Sequence, residues 1–224
     1  MSSLEDDRGG GHFAEAAHVK IVGALAVGAA AFLVPTIAVA HGPAPEPQTP
    51  FEMHGSVSFE VATNVFGTSV KGRSGSLRGN SRLRDDGEAL RLEQIGVTVP
   101  VATLQTGIKL RDQHMRQYVF ETADHQTPDL SFTAASATCV RATREAYSCT
   151  AAGALSLRGT SRPFTIALQV KREGSAFSVK GAGKIALSQY GIERPSQFGV
   201  RTEDEVVLRL DFSARQVYSS AGLR

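Results

Sequence analysis

Residues 164–170 read Phe-Thr-Ile-Ala-Leu-Gln-Val, and this stretch decides the fold class. Apolar side chains occupy its alternate positions, from Phe164 to Val170, and small or polar side chains lie between them. Successive side chains of a β-strand point to opposite faces of the sheet. The order therefore predicts a strand with one buried face and one face in water.

The same period of two recurs along the chain, at Val57, Phe59 and Val61, at Leu90 and Leu92, at Val97, Val99 and Val101, at Leu130 and Phe132, at Leu155 and Leu157, and at Val206, Leu208, Leu210 and Phe212. Turn-forming residues separate these runs at 85–87, 172–174 and 72–79, and we interpret 71–75 as a turn as well. Many short strands with one polar face predict an antiparallel sandwich or a closed barrel rather than a parallel sheet.

One segment departs from this period. Residues 110–118, LRDQHMRQY, place Met115 and Tyr118 three apart, with Asp112 near the beginning. This spacing favours a short surface helix with an acidic first turn, which would lie across one end of a barrel.

The first 40 residues have the composition of an export leader. Lys20 precedes an apolar run over 21–34, and Ala38-Val39-Ala40 provides the small residues that signal peptidase requires. An uncleaved membrane anchor is the alternative, because residues 21–40 are just long enough to span a bilayer. We expect a leader over 1–40, a Pro-rich linker over 41–52, one domain over 53–214 and a tail over 215–224, in a periplasmic or secreted protein.

Charge and cysteine content narrow the function classes. The formal net charge is +2 with both signs interspersed, so the sequence predicts no nucleic-acid surface. The two cysteines, Cys139 and Cys149, flank a polar turn over 141–145, and in an exported protein this spacing predicts one disulfide. Free thiols are the alternative. We expect neither a metal site nor a cofactor, and no stable insertion of the mature domain into a membrane. The sequence leaves open whether the protein forms a homodimer.

Four segments together resemble the YceI-like family of periplasmic polyisoprenoid-binding barrels. His54–Val61 is similar to its opening strand, with Gly55 in place of Ser. Its TG…RD…F…P…F segment is resembled by Thr106-Gly107, Arg111-Asp112 with His114, Phe120, Pro128 and Phe132. Gly153–Pro163 resembles its GxLxxxGxxxP hairpin, and Ile185–Ile192 more weakly resembles a strand that ends in FGI.

The resemblance implies an eight-stranded, antiparallel, lipocalin-like β-barrel with a short capping helix and an apolar tunnel for an isoprenoid or another long-chain lipid. The chain departs from the family pattern near Thr63 and Ser74, where a His and a Phe are expected. It also has Leu187 and Gln189 in place of Arg and Asp, and Arg158 in place of a common His. These differences concern polar ligand contacts rather than the fold.

The inward face of the strands is the candidate binding surface. We expect the lipid to contact Phe59, Val97, Val99, Phe132, Leu155, Phe164, Ile166, Leu168, Phe177, Val179, Leu208 and Phe212. An eight-stranded barrel can instead be filled by its own side chains, which would leave an interaction module that acts through its loops. Periodicity alone does not distinguish these alternatives.

The polar candidates are Arg111, Asp112 and His114. They would meet a ligand head group at the barrel mouth. In the structural alternative, Asp112 caps the helix and Arg111 pairs with a carboxylate. No GxSxG, HExxH or phosphate-loop motif is present, so a hydrolase remains the weaker hypothesis and no catalytic residue is predicted.

Overall fold

The computed structural model describes residues 48–85 and 89–217. The predicted leader, most of the predicted linker and the residues beyond 217 lie outside the described residues. Ten elements follow in chain order: β1 (Thr49–Thr63), β2 (Ser69–Asp85), β3 (Leu90–Val99), α1 (Lys109–His114), β4 (Leu130–Arg141), β5 (Ala146–Leu157), β6 (Thr160–Glu173), β7 (Ala176–Ala186), β8 (Ser196–Gln197) and β9 (Val200–Gln216).

Eight antiparallel strands form a closed barrel. Consecutive strands pair from β1 to β7, and β7 then pairs with β9. Because β9 also pairs with β1, the sheet closes on itself. The two-residue strand β8 pairs only with the beginning of β9. The predicted fold class is therefore confirmed, with a short helix in the connection between β3 and β4.

The alternation that predicted the strands also orients them. In β6, Ile166, Leu168 and Val170 are buried, whereas the alternate residues Thr165, Ala167 and Gln169 are exposed. Apolar side chains therefore point inward and polar ones outward, as a barrel in water requires.

The strand directions define two ends of the barrel. The helix end carries the connections over 64–68, 100–129, 158–159 and 187–199. The disulfide end carries the connections over 142–145 and 174–175, together with the end of β2 and the beginning of β3. Cys139 and Cys149 lie directly opposite each other on β4 and β5 and form the predicted disulfide, with both residues buried.

A bulge in β3 accounts for its change of phase. Leu90 and Leu92 occupy even positions, whereas Ile95, Val97 and Val99 occupy odd ones. Gln94 has a φ of 52°, and the pairing with β2 shifts there, so that the strand gains one residue relative to its partner. Both apolar sets consequently face the barrel interior.

Two expectations differ from the structure. Residues 72–79 and residues 71–75, both predicted as turns, lie within β2. Glycine in this strand reflects close packing: a Cβ on Gly79 would lie 2.6 Å from the carbonyl oxygen of Gly96. In addition, β1 begins at Thr49 rather than at 53, because Pro50 lies near the beginning of the strand, where a missing N–H is tolerated.

Removal of the disulfide tests its contribution to stability. The double substitution Cys139→Ala, Cys149→Ala is expected to lower the free energy of unfolding by about 2–3 kcal/mol, because the bridge restricts the unfolded chain. Urea unfolding monitored by circular dichroism measures this loss. Wild-type protein in reductant should show a similar loss, and an unchanged midpoint in both samples would contradict the prediction.

Candidate functional site: an apolar cavity at the helix end

The barrel interior contains a cavity of about 650 Å³ in the half toward the helix end. Its lining is almost entirely apolar. It reaches the exposed Tyr118 on one side and Phe198 on the other, so it opens to the surface between the helical segment and the β8–β9 hairpin. Eight of the twelve predicted contact residues line it: Phe59, Val97, Val99, Phe132, Leu155, Phe164, Ile166 and Leu208.

The other half of the interior is packed. A second cavity of about 50 Å³ lies there, and four residues line both cavities and separate them: Val97, Phe132, Ile166 and Leu210. Phe51 and Phe177 pack against each other with ring centroids 5.6 Å apart. The remaining four predicted contact residues lie in this packed half, at Leu168, Phe177, Val179 and Phe212.

Glycines on neighbouring strands make room for the aromatic lining. Phe59 lies opposite Gly72, and a Cβ on that glycine would be 2.4 Å from the phenyl ring. A Cβ on Gly183, in the strand next to that of Phe164, would likewise lie 2.6 Å from the Phe164 ring. Because each ring lies over a position without a side chain, it stays near the wall and leaves the centre of the barrel open.

A helical segment borders the opening. Helix α1 continues into a wider π-type turn over Met115–Phe120, and Met115, Tyr118 and Val119 from this turn line the cavity. The spacing of Met115 and Tyr118 in the sequence indicated a helix but not that its apolar face contacts the lumen. A 3₁₀ turn over Leu187–Tyr190 contributes Leu187 to the lining as well.

The three predicted polar residues have different roles. Arg111 and His114 line the cavity near its opening, and the His114 ring contacts the Tyr118 ring edge-on at 5.5 Å. Arg111 donates hydrogen bonds to the hydroxyl and the carbonyl of Thr106, both at 2.9 Å. Asp112 is buried and accepts hydrogen bonds from the Thr106 N–H, at 2.6 Å, and from its hydroxyl. Asp112 thus fixes the approach to α1 instead of capping it.

The charge on Asp112 is stabilised by these neighbours. Burial by itself would raise the pKa of its carboxyl. The hydrogen bonds from Thr106, together with the positive charges of Arg116 and Arg111, outweigh burial and hold that pKa below its usual value. The carboxylate is therefore ionised at neutral pH and keeps its hydrogen bonds to Thr106.

Among the positions that depart from the family pattern, Ser74 and Arg158 make contacts that stabilise the fold. Ser74 is buried and shares a hydrogen bond of 2.6 Å with Thr103. Arg158 donates to the carbonyl of Glu121 at 2.7 Å and so joins the β5–β6 turn to the end of the helical segment. Gln189 is exposed, whereas Thr63 and Leu187 line the cavity.

The part of the chain that the structure describes contains neither a metal-ligand cluster nor a helix that could span a membrane. Over 48–85 and 89–217, His, Cys, Asp and Glu side chains do not form a group of three or more that could hold a metal ion. Among the same residues, no helix is long and apolar enough to cross a membrane.

These features define a closed β-barrel with an apolar internal cavity that opens to the surface. The YceI-like domain profile matches residues 51–214, and the chain belongs to this family. None of the curated proteins matches the sequence.

Solved structures share the fold at low sequence identity. A polyisoprenoid-binding domain from Saccharophagus degradans, implicated in plant cell wall breakdown, is 16% identical with a TM-score of 0.55, covering 75% of this chain and 98% of that one. BcnA from Burkholderia cenocepacia is 16% identical with a TM-score of 0.53, covering 70% and 95%. The YceI protein from Campylobacter jejuni is 17% identical with a TM-score of 0.54, covering 68% and 87%.

The packing of Phe59 on Gly72 yields a prediction about cavity volume. Gly72→Ala places a methyl group where the ring lies, so we expect the ring to turn into the cavity and to reduce uptake of an apolar fluorophore such as N-phenyl-1-naphthylamine. Gly75→Ala is the matched control, because nothing lies within 4 Å of its added Cβ. Equal uptake by the two variants in fluorescence titrations would contradict this packing argument.

The contacts of Asp112 predict a pH-dependent contribution to stability. Asp112→Asn is expected to lower the free energy of unfolding at pH 7 by about 1.5–3 kcal/mol, because a hydrogen-bonded charge is lost. Since the folded-state pKa is lowered, this contribution is present above the unfolded pKa of about 3.9 and disappears as the pH falls through the folded-state pKa. The difference in the free energy of unfolding between wild type and variant, measured by urea unfolding, should therefore become smaller in acid.

The control for this variant is Asp124→Asn in the same connection, where the side chain is exposed and its hydrogen bond to Thr122 lies in water. We expect it to change stability little. A loss as large as that of Asp112→Asn would indicate a nonspecific charge effect.

Proposed function

We propose that this protein binds a long apolar chain, of isoprenoid or other lipid type, in the helix-end cavity and keeps it in solution. The observation that supports the proposal is the apolar cavity of about 650 Å³ that opens between Tyr118 and Phe198. The similarity to a solved polyisoprenoid-binding domain is consistent with it. The alternative is an interaction module whose interior is filled by its own side chains. The cavity in the helix-end half of the barrel argues against it.

The energetics of such binding depend on area rather than on specific contacts. Each buried methylene contributes about 0.8 kcal/mol, before the ordering of the ligand is subtracted. The half-exposed side chains Phe59, Phe164 and Leu208 face the cavity and would be covered by a ligand. Binding of this kind selects ligands by length and width.

Arg111 and His114 are the proposed contacts for a polar head group. Both lie at the opening, where a head group would remain in water while its chain occupies the lumen. The Arg111 guanidinium is oriented by its two hydrogen bonds to Thr106, so its position is defined before a ligand binds. A phosphate or a hydroxyl is the kind of group that these side chains recognise.

We further propose that the protein works after export and as a binding protein rather than a hydrolase. The leader pattern over 1–40 supports export, and the buried disulfide fits an oxidising compartment.

Native mass spectrometry of the purified protein, before and after extraction with organic solvent, tests the ligand. We expect an additional mass of a long-chain lipid that extraction removes. Phe164→Arg, which places a charge in the lumen, is expected to abolish it.

The matched control is Thr165→Arg, the adjacent residue on the outer face of β6, which should retain the lipid. Circular dichroism verifies that both variants fold. The proposal fails if wild-type protein carries no lipid, or if folded Phe164→Arg carries as much as the control.

A further inference from the structure

Exposed apolar side chains are concentrated at the helix end. Eight large apolar residues of the described part of the chain are strongly exposed, and seven of them lie at this end. The eighth, Val140, lies at the disulfide end. Phe66 and Phe198 are completely exposed, at 103% and 96%. Such a one-sided distribution marks an interaction surface rather than scattered surface residues.

One of the seven, Tyr118, lies in the π-type turn beside the cavity opening, whereas the other six lie on three segments around that opening. They are the β1–β2 loop with Val65 and Phe66, the beginning of α1 with Ile108 and Leu110, and the β8–β9 hairpin with Phe198 at its tip. We name these segments, residues 64–68, 106–110 and 196–201, the rim.

Hydrogen bonds hold two of the rim segments together. The Asn64 side chain donates to the carbonyl of Gly199, at 3.2 Å, and accepts from the N–H of Arg201, at 2.8 Å. The Asn64 N–H also donates to the Arg201 carbonyl at 2.9 Å. Phe66 and Phe198 are therefore presented by a connected pair of turns rather than by independent loops.

The backbone at Phe198 indicates that its side chain does not serve the turn. Phe198 has a φ of 50° and Gly199 a φ of 78°, a pair of left-handed residues at the tip of a hairpin. Asn-Gly is the favoured sequence for such a turn, and a bulky residue at the first position is costly. An aromatic ring that is exposed at this cost has a role outside the fold.

The charges of the rim indicate the partner. The rim contains Lys109 and Arg201 and no Asp or Glu. Aromatic rings favour the boundary between lipid head groups and acyl chains, whereas Lys and Arg extend toward lipid phosphates. Separate apolar tips with flanking cations complement an anionic bilayer surface better than a flat protein face.

We propose that the rim docks on the surface of an anionic phospholipid bilayer, with Phe66 and Phe198 inserted and the cavity opening facing the lipids. In that orientation an apolar chain passes between the bilayer and the lumen without crossing water. This transfer of an apolar chain rests on the proposed lipid binding, but docking itself requires no bound ligand.

The absence of tryptophan from the sequence makes a direct test simple. Phe198→Trp and Val140→Trp each introduce a single tryptophan, one on the rim and one at the opposite end, which can be excited selectively over the four tyrosines. With vesicles of phosphatidylethanolamine and phosphatidylglycerol, we expect the emission of Phe198→Trp to shift to shorter wavelength and to be quenched by brominated acyl chains. Val140→Trp should show neither change.

Vesicle sedimentation measures the energetic contribution of each ring. Phe66→Ser and Phe198→Asn are each expected to weaken binding by about tenfold or more, since a buried aromatic ring is lost from the interface. Val140→Ser is the matched control and should bind like wild type. Phe198→Asn should also be at least as stable as wild type, because Asn suits the left-handed turn.

The following results would overturn the proposal. The first is an emission spectrum of Phe198→Trp that vesicles do not change. The second is vesicle binding by Phe66→Ser and Phe198→Asn that is as strong as that of wild type. The third is wild-type binding to phosphatidylcholine vesicles that equals binding to the anionic vesicles, because charge would then have no role. A spectral shift that depends on protein concentration without vesicles would assign the rim to a second copy of the chain instead.

Native mass spectrometry of Phe66→Ser separates this proposal from the lipid-binding one. Phe66 does not line the cavity, so the variant should retain co-purified lipid while it loses vesicle binding. Wild-type protein that binds vesicles but carries no lipid would refute the proposed function alone. Wild-type protein that carries lipid but does not bind vesicles would refute docking alone.

Discussion

Closure of the sheet is the constraint on which the other features of this protein depend. Pairing of β1 with both β2 and β9 gives each of the eight strands two neighbours and leaves the barrel without an open edge. Closure also directs alternate side chains into one enclosed space. With eight strands that space is just wide enough to be filled by side chains or to hold a narrow guest.

The two halves of this space have different contents. At the disulfide end, side chains such as Phe51, Phe177 and Phe212 fill the cross-section and are buried. At the helix end, Phe59 and Phe164 lie over glycines of neighbouring strands, and the centre stays open. The packed half supplies stability, so the open half does not have to be filled for the fold to persist.

The opening combines an apolar surface with a few fixed polar groups. Thr106 links Arg111 and Asp112 and anchors the beginning of α1, while the next turn of the segment presents Met115 and Tyr118 to the lumen. One helical segment thus positions the polar groups and contributes apolar lining. The rim continues this apolar surface to the outside, which connects the proposed lipid binding to the proposed docking on a bilayer.

The sequence by itself determined most of the strands and their inward faces, predicted the disulfide and, through its family motifs, indicated the closed barrel. Alternation reports which face a side chain occupies because the period of a strand is two. It does not report depth: Phe164 and Leu168 belong to the same alternation in β6, yet one lines the open cavity and the other lies in the packed half. In the sequence, the glycines of 72–79 resembled a turn. They are needed because the Phe59 ring and a neighbouring backbone approach them closely, and these contacts come from other strands. Only the tertiary structure decided where the interior stays open and which loops gather around the opening, because both depend on contacts between residues far apart in the chain.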